Sequence, residues 1–278
     1  MAVAGTSGGE NLVSETIKLS SPATREFWEI PVLAEDEHLL ALNKPAYLLT
    51  SPDRVDAHRP NLITLLHADI ERGAPWAKAR GLSYLMHAHR LDFETSGVLL
   101  FAKSKPVLVT LANWFGADAP GKNYVALVQG APLQDSFTVD AKLAAHPVDL
   151  DVMRVDEKGG KRSRTQFEVL EKIGGYTLLR CKPLTDRLHQ IRVHLRHFGL
   201  PIVGDEIYGG RPLLLSRLKS DYRLKPDKTE RPLISRVAIH AEELTLPHPI
   251  TGTTITITAP WPKDLTVAVK YLRRYVAR

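Results

Sequence analysis

The sequence predicts an α+β fold in which a mixed, largely antiparallel sheet is flanked by helices. Segments with the period of strands and segments with the period of helices follow one another without a regular strand–helix–strand order. One uniformly apolar run, SGVLLFA at 96–102, is typical of a buried strand. Two further strand-like segments meet at a Gly-Gly turn at 174–175, which is typical of paired strands.

The first half of the chain contains further strand and helix patterns on either side of this buried run. An apolar run at 39–42 predicts a strand that ends in the Asn-Lys-Pro turn at 43–45. Residues 61–72 have helical spacing, and Asn61 is a suitable cap for that helix. A second helix is predicted at 105–116, where the final glycine closes it.

The second half of the chain mixes strands and helices in the same way. The predicted elements are, in order, strands at 122–130, 164–173 and 176–183, a helix at 187–199, a hairpin at 240–260 and a helix at 264–276. The helix at 187–199 has an apolar stripe made of Leu188, Ile191, Leu195 and Phe198.

The chain is expected to form one large domain after a short extension. Its 278 residues are 44% hydrophobic and 24% charged, which is ordinary for a folded protein. Residues 1–31 begin rich in Gly and Ser and are predicted to be poorly ordered, whereas 32–278 contain no linker-like stretch and form one catalytic-sized domain. No segment resembles a membrane helix or a secretory signal. A single cysteine, Cys181, excludes an internal disulfide and is consistent with the cytoplasm.

Positive charge is concentrated in one segment, at 211–236. The chain carries a net charge of +6, and this segment has eight Lys and Arg residues against three Asp and Glu residues. Such a segment permits an anionic partner such as RNA, and a solvated loop explains it equally well.

Several motifs of common enzyme classes are absent from the sequence. The Gly-Lys pair at 160–161 is followed by Arg where a phosphate-binding loop needs Ser or Thr, and no dinucleotide-binding glycine motif follows a strand. Eleven histidines make zinc the stronger alternative, but His189 and His194 lie about 140° apart around a helix. Ser/His/Asp hydrolysis has no nucleophile elbow to use. We therefore expect neither a metal nor a cofactor.

Arg192 and Asp92 are the candidate functional pair that remains. On its predicted helix Arg192 lies beside the apolar stripe, and a guanidinium half-turned toward a core needs an anion. Asp92 precedes a Thr-Ser-Gly turn at the entrance of the buried strand, where a paired carboxylate would stay ionised. A capping role for Asp92 and a surface salt bridge for Arg192 remain the commoner explanations of these residues taken alone.

Five segments, in order between 35 and 260, resemble the RluA-type pseudouridine synthases. The most specific is HRLDFETSG at 89–97, which resembles the family signature His-Arg-Leu-Asp-x-x-Thr-Ser-Gly. The others are the Asn-Lys-Pro turn, a Lys-x-Tyr strand, an Arg-x-His-Gln-x-Arg helix followed by Gly-Asp-x-x-Tyr, and the closing hairpin. The resemblance implies the pseudouridine synthase fold, with a central cleft that binds RNA.

The resemblance also implies an activity and a set of site residues. These enzymes are isomerases that convert a uridine in RNA to pseudouridine: the nitrogen–carbon glycosidic bond breaks, the uracil turns, and carbon 5 rejoins the sugar. No cofactor is required. Carried over by position, Asp92 is the essential carboxylate and Arg192 holds it. Tyr124, two residues after Lys122, stacks on the uracil and handles the carbon 5 proton, and Arg90 occupies the space that the flipped base leaves.

The expected partner is ribosomal or transfer RNA with a flipped-out uridine, bound by a monomer. Extrusion of the base follows from geometry, because a stacked uridine cannot present both its sugar and its ring to one carboxylate. The residues expected to contact the RNA are Arg90, Arg187, His189, Arg217, Lys219 and Arg223.

The sequence departs from the family pattern at Asp186, where relatives usually have Gly. An aspartate tolerates a left-handed backbone at some strain, and this one could compete with Asp92 for a basic partner. Phe93 occupies a variable position and is expected to pack. The family's N-terminal S4 RNA-binding domain would not fit in the residues before Val32, so the catalytic domain is expected to recognise the target itself.

Two other functions remain as alternatives. One is a catalytically silent RNA-binding module on the same fold, although Asp92, Tyr124 and Arg192 are all present. The other is an unrelated carboxylate-dependent hydrolase, which lacks the second acid or the metal that such chemistry usually requires.

Overall fold

The structure is a computed structural model that describes residues 16–53, 56, 58–149, 151–224 and 227–276. Among these residues, none of the helices has the length and apolar character required to span a bilayer. The strands of the described residues are β1 (Thr16–Ser21), β2 (Glu26–Glu35), β3 (Leu39–Lys44), β4 (Met86–His87), β5 (Ser96–Ala102), β6 (Gly121–Gln129), β7 (Ser136–Asp140), β8 (Leu143–Ala145), β9 (Met153–Val155), β10 (Arg164–Ile173), β11 (Tyr176–Pro183), β12 (Ile239–Pro247) and β13 (Thr254–Thr258). The helices are α1 (Leu62–Glu71), α2 (Pro75–Ala79), α3 (Lys105–Gly116), α4 (Gln190–His197), α5 (Leu215–Leu218) and α6 (Lys263–Tyr275), with a 3-10 turn at Glu206–Tyr208.

One large sheet organises the described part of the chain. Its strands run in the order β1-β2-β3-β5-β12-β6-β11-β10-β7, with β13 added beside β12 and β4 beside β5. Strands β5 and β12 pair in parallel, and the other named pairs in this sheet are antiparallel. Strands β8 and β9 form a separate two-stranded unit. The predicted α+β class with a largely antiparallel mixed sheet is confirmed.

The prediction of a poorly ordered extension over 1–31 is wrong for residues 16–31. Strands β1 and β2 form an antiparallel hairpin in which Thr16 lies opposite Pro31. Ile17, Leu19 and Ile30 are almost fully buried, so the alternation of apolar and polar residues in β1 marks one face as core. The alternation in β1 was the sequence signal for an ordered strand. The Gly- and Ser-rich residues before it led to the prediction of poor order for the whole of 1–31. Residues 1–15 lie outside the described residues.

The helix predicted at 187–199 begins later than expected, at Gln190. His189, which directly precedes the first helical residue, adopts a left-handed backbone with φ 53°. A right-handed α-helix cannot include a residue in this conformation. Leu188 therefore lies before the helix, and Phe198 is 45% exposed, whereas Ile191 and Leu195 are buried as predicted. The other predicted strands and helices are confirmed, including the cap, since Asn61 Oδ1 accepts the Thr64 N–H at 3.0 Å.

The site lies where two hydrophobic clusters meet at the centre of the sheet. Tyr124, on β6, packs against both clusters. It lies opposite Ala241 on β12 and Cys181 on β11. Strand β5, which follows the Asp92 turn, lies on the other side of β12. The sheet therefore brings the Asp92 turn and Tyr124 together although 31 residues separate them in the sequence.

Candidate active site

The turn that carries Asp92 is held rigidly at the entrance of β5. The Thr95 N–H donates to the Asp92 carbonyl at 3.1 Å. The Thr50 hydroxyl donates to the Leu91 carbonyl at 2.9 Å and accepts the Leu91 N–H at 3.1 Å. In the described part of the chain, no backbone N–H is bonded to the Asp92 carboxylate, which lies 3.8 Å from both the Arg192 guanidinium and the His189 ring. The carboxylate is therefore not a cap.

One basic side chain, Lys44, supports this turn, and no role was predicted for it from the sequence. Lys44 Nζ is fully buried and donates to the carbonyls of Pro45 at 2.9 Å and Leu48 at 2.7 Å, with a longer contact to Phe93 at 3.5 Å. Burial lowers the pKa of Lys44 to about 7, although the Asp92 charge opposes the shift. The Asn-Lys-Pro turn was the signal for this link, which joins β3 to the Asp92 turn.

His89, the first residue of the signature, has a structural role. Burial lowers its pKa to about 3, so the ring is neutral and Nε2 accepts the Leu100 N–H at 3.2 Å. The ring stacks on Phe115 with centroids 4.7 Å apart. His89 therefore holds the segment before Asp92 against β5.

Arg192 is bound chiefly by a residue other than the predicted one. Its Nε and Nη2 donate to the two carboxylate oxygens of Asp205 at 2.7 and 2.8 Å, and its guanidinium lies 4.9 Å from the Tyr208 ring centroid. The expected approach to Asp92 is present, but Nη1 lies 3.8 Å from Oδ2, which is longer than a hydrogen bond. Burial lowers the pKa of Arg192, and the bonds to Asp205 outweigh burial and raise it. Asp205 belongs to the Gly-Asp-x-x-Tyr motif, which was the signal for this role.

His189 lies on the other side of the same carboxylate. Its Nε2 is 3.8 Å from Asp92 Oδ2, and its Nδ1 is hydrogen-bonded to the Tyr208 hydroxyl at 2.9 Å. The Tyr208 oxygen also accepts the Met153 N–H at 2.9 Å, so Tyr208 links the His189 ring to β9. Burial lowers the pKa of His189, so a neutral ring faces Asp92 at pH 7.

Tyr124 and Asp186 lie on the opposite wall. Burial raises the pKa of Tyr124, and the charges of Asp186 and Asp92 raise it further, so the phenol stays protonated. Asp186 forms a salt bridge with the buried Lys122 at 2.9 Å rather than competing with Asp92 for Arg192. The expected left-handed backbone at Asp186 is not observed, because His189 is the residue of this loop with positive φ.

One cleft, open to solvent, is lined by Asp92, Tyr124, Asp186, His189 and Arg192. The predicted site residues that line it are Arg90, Asp92, Tyr124, Arg187, His189 and Arg192. Arg187 Nη1 donates to the Asp186 carbonyl, while its buried Nε has no hydrogen-bond partner in the described part of the molecule. Within the same ranges, no group of three or more His, Cys, Asp or Glu side chains is arranged to hold a metal ion.

The basic segment at 211–236 lies outside this cleft. Arg217 and Arg223 are exposed, and Lys219 lies 3.5 Å from Asp221. Arg236 differs from its neighbours, because it is 1% exposed and forms two hydrogen bonds with Asp264. Counting Arg236 with the RNA-gripping charges was therefore wrong: a buried guanidinium needs an internal anion. Lys225 lies outside the described residues.

Comparison with known proteins gives the same class as the fold and the cleft. Residues 38–197 match the family model of RNA pseudouridylate synthases. The chain belongs to this family. It is an RNA pseudouridine synthase, an isomerase that acts on RNA.

Two groups of relatives cover most of the chain. It is 35% identical over 272 residues to a ribosomal large subunit pseudouridine synthase D from Xanthomonas campestris, an alignment that covers 98% of this chain and 78% of that protein. It is 33% identical over 237 residues to the dual-specificity RNA pseudouridine synthase RluA of Escherichia coli K12, covering 85% and 94% of the two chains. Human RNA pseudouridylate synthase domain containing 4 shares the fold, with a TM-score of 0.65 and 23% identity over 87% of this chain and 92% of that chain.

Proposed function

We propose that the cleft holds a flipped-out uridine of a structured ribosomal or transfer RNA and that Asp92 is the essential carboxylate. The observation that supports this most strongly is the placement of Asp92. Its carboxylate is free of backbone hydrogen bonds in the described residues, faces Arg192 and His189 at 3.8 Å, and shares the cleft with Tyr124. The names of the two groups of relatives, one ribosomal and one of dual specificity, are consistent with these two RNA classes.

In this proposal Asp92 drives the cleavage of the glycosidic bond. Attack on the sugar, attack on the ring and removal of a sugar proton all require an ionised and oriented carboxylate. Arg192 supplies a fixed positive charge 3.8 Å from Asp92, and the His189 ring lies at the same distance, so both side chains bound the space in which the carboxylate is oriented. The bond from uracil nitrogen to the sugar breaks, the base turns in the cleft, carbon 5 bonds to the sugar, and the carbon 5 proton leaves.

Tyr124 is proposed to stack on the uracil while the base turns. An aromatic ring holds a planar base without fixing its in-plane orientation, which the reaction requires. The predicted second role, acceptance of the carbon 5 proton, is disfavoured by the raised pKa of Tyr124, because a protonated phenol is a poor base. We therefore keep the stacking role alone for this residue.

Arg90 and Arg187 are proposed to hold the RNA around the flipped nucleotide. Arg90 is exposed where it lines the cleft and can fill the gap left in the RNA stack. Arg187 lines the same cleft, where its positive charge favours an RNA phosphate. Unstacking the base costs roughly a few kcal/mol, and the contacts of these two arginines with the RNA offset that cost.

The working unit is proposed to be a single chain in the cytoplasm. We propose that the catalytic domain begins at β1 rather than at Val32, because the β1–β2 hairpin packs into the sheet.

Release of tritium from RNA labelled at uridine carbon 5 tests the proposal. The RNA comes from a strain that lacks this gene. The intact protein is expected to release tritium. Asp92→Asn is expected to lose activity by at least roughly 1,000-fold, which is the scale of loss when an essential catalytic group is removed. Glu94→Gln is the matched control, because Glu94 is a carboxylate on the same turn that does not line the cleft.

Binding of the same RNA distinguishes the remaining outcomes. Asp92→Asn is expected to keep its RNA affinity, since the change removes a charge without altering shape. Equal tritium release by Asp92→Asn and the intact protein would contradict the role of Asp92. RNA binding without tritium release by the intact protein would indicate the silent module.

A further inference from the structure

Tyr47 adopts a backbone conformation that large residues avoid. It lies in the turn after β3 with φ 62°, in the left-handed region where glycine is the residue without steric penalty. Its side chain is not buried as compensation, because the residue is 43% exposed. A strained, exposed aromatic residue is a candidate functional residue.

The Tyr47 ring is held against the Asp92 turn. Its N–H donates to the Phe93 carbonyl at 2.8 Å, and its ring meets the Phe93 ring edge-on with centroids 5.7 Å apart. At the far end of the ring, the hydroxyl donates to the Ser235 carbonyl, at the end of the basic segment. Backbone, ring and hydroxyl are all engaged, so the exposed part of the ring has a defined orientation.

A guanidinium completes this surface. Arg59 lies 4.6 Å from the Phe93 ring centroid, and its Nη1 is paired with Asp53 at 2.7 Å. Tyr47, Phe93 and Arg59 together form what we call the Tyr47 platform. Within this set Tyr47 is exposed and Phe93 is half-buried beneath Arg59, so the Tyr47 ring and the Arg59 guanidinium are the groups on which an unpaired RNA base can stack.

We propose that the Tyr47 platform binds an unpaired base that neighbours the target uridine. The proposal rests on the proposed function and adds a specificity-determining contact to it. Phe93 directly follows Asp92 in the chain, so the platform adjoins the cleft. Tyr47, Phe93 and Arg59 do not line the cleft, and the base that they stack with is therefore not the uridine being isomerised. The net positive charge of the adjoining segment at 211–236 favours a polyanion as the occupant.

Two substitutions at Tyr47 separate the ring from its backbone. Tyr47→Gly removes the ring and relieves the left-handed strain, so the variant is expected to unfold at the same temperature or higher. Its affinity for a fluorescein-labelled oligouridylate is expected to fall about 10-fold, which is the scale of one base–aromatic stack. Tyr47→Phe keeps the ring and loses the hydrogen bond to the Ser235 carbonyl. This variant is expected to keep most of the affinity of the intact protein for the oligouridylate. Phe27→Ala is the control, because Phe27 is 58% exposed and lies on β2 near the edge of the sheet.

Tritium release from bulk ribosomal and transfer RNA gives the second readout. For Tyr47→Gly, KM for RNA is expected to rise by a similar factor, with a smaller change in kcat. Unchanged oligouridylate affinity and KM in Tyr47→Gly would overturn the platform, as would equal losses in Tyr47→Phe and Tyr47→Gly, which would assign the effect to the hydroxyl. If the intact protein released no tritium, the proposed function would fail, and the affinity measurement would still decide whether the platform contacts RNA.

Discussion

Arg192 illustrates how a buried charge is kept ionised beside Asp92, the carboxylate proposed to be essential. The residue is 5% exposed, and Asp205, which is fully buried, takes two of its three nitrogens. The third nitrogen faces Asp92 at 3.8 Å. Asp205 therefore orients the guanidinium, so that Arg192 can stabilise Asp92 without binding it tightly enough to block its chemistry.

Removal of the Asp205 charge is expected to affect both folding and activity. In Asp205→Asn the buried Arg192 loses its counter-ion, and the free energy of unfolding is expected to fall by about 3–5 kcal/mol. Urea unfolding measures this loss. Tritium release by the folded fraction is expected to show a lower kcat with a smaller change in KM, because Arg192 is then misplaced relative to Asp92.

A double substitution separates the effect of the Arg192–Asp205 pair on stability from its effect on activity. Arg192→Met combined with Asp205→Leu replaces the ion pair by apolar side chains, and it is expected to recover much of the stability that Asp205→Asn loses. Its activity is expected to stay low, because no positive charge then faces Asp92. Full activity in the double variant would show that Arg192 has only a structural role.

At the scale of elements, strands β5 and β12 bring the catalytic turn to the centre of the sheet. They pair in parallel, with Ser96 opposite His240 and Gly97 opposite Ala241. Gly97 has φ 122°, and a Cβ atom there would lie 2.1 Å from the Ala241 carbonyl oxygen. The glycine of the Thr-Ser-Gly part of the signature is therefore explained by close contact between two backbones.

Gly97→Ala is expected to destabilise the protein and to disturb the Asp92 turn. The methyl group collides with backbone that cannot move alone, so we expect a loss of at least about 2 kcal/mol in the free energy of unfolding. Gly116→Ala is the control, since Gly116 is exposed at the end of α3 with nothing within 4 Å of the added atom. That control is expected to gain about 0.5–1 kcal/mol. Equal stabilities in urea would contradict the close-contact explanation.

At the scale of the whole molecule, charge is distributed unevenly in a way that suits a polyanion. The excess of positive charge lies largely in 211–236, outside the cleft. Arg236 in this segment is internal, so the exposed Arg217 and Arg223, with Lys219, are the charges that we expect to meet RNA. Contacts of this kind act through released counterions and weaken with salt.

Reversal of the charges at Arg217, Lys219 and Arg223 to Glu is expected to weaken RNA binding. The slope of log affinity against log salt is expected to become shallower by about 2, since each lost phosphate contact accounts for roughly 0.7. Filter binding of bulk transfer and ribosomal RNA measures both quantities. The control variant carries Lys18→Glu, Lys105→Glu and Lys172→Glu. These lysines are exposed elsewhere on the surface, and the variant changes the net charge by the same amount. Equal losses of RNA affinity in both variants would show that the effect comes from the net charge and not from this segment.

Local patterns in the sequence were sufficient to predict most of the elements and to select candidate site residues that share one cleft. The Asn61 cap and the all-buried β5 depend on neighbours a few residues apart, so their spacing carries the information. The motif around Asp92 and the offset of Tyr124 after Lys122 identified residues that the structure brings into one cleft. The class of protein followed from these residues.

Only the tertiary structure decided which partners these residues have. Asp205 rather than Asp92 binds Arg192 most closely, and Lys122 pairs with Asp186 across 64 residues of sequence. Arg236 is buried although Arg217 and Arg223 of the same segment are exposed, and Tyr47 takes a left-handed backbone that no local pattern indicates. The physical reason is that propensity and periodicity act within a few residues, whereas ion pairs and buried contacts depend on which strands the sheet places side by side.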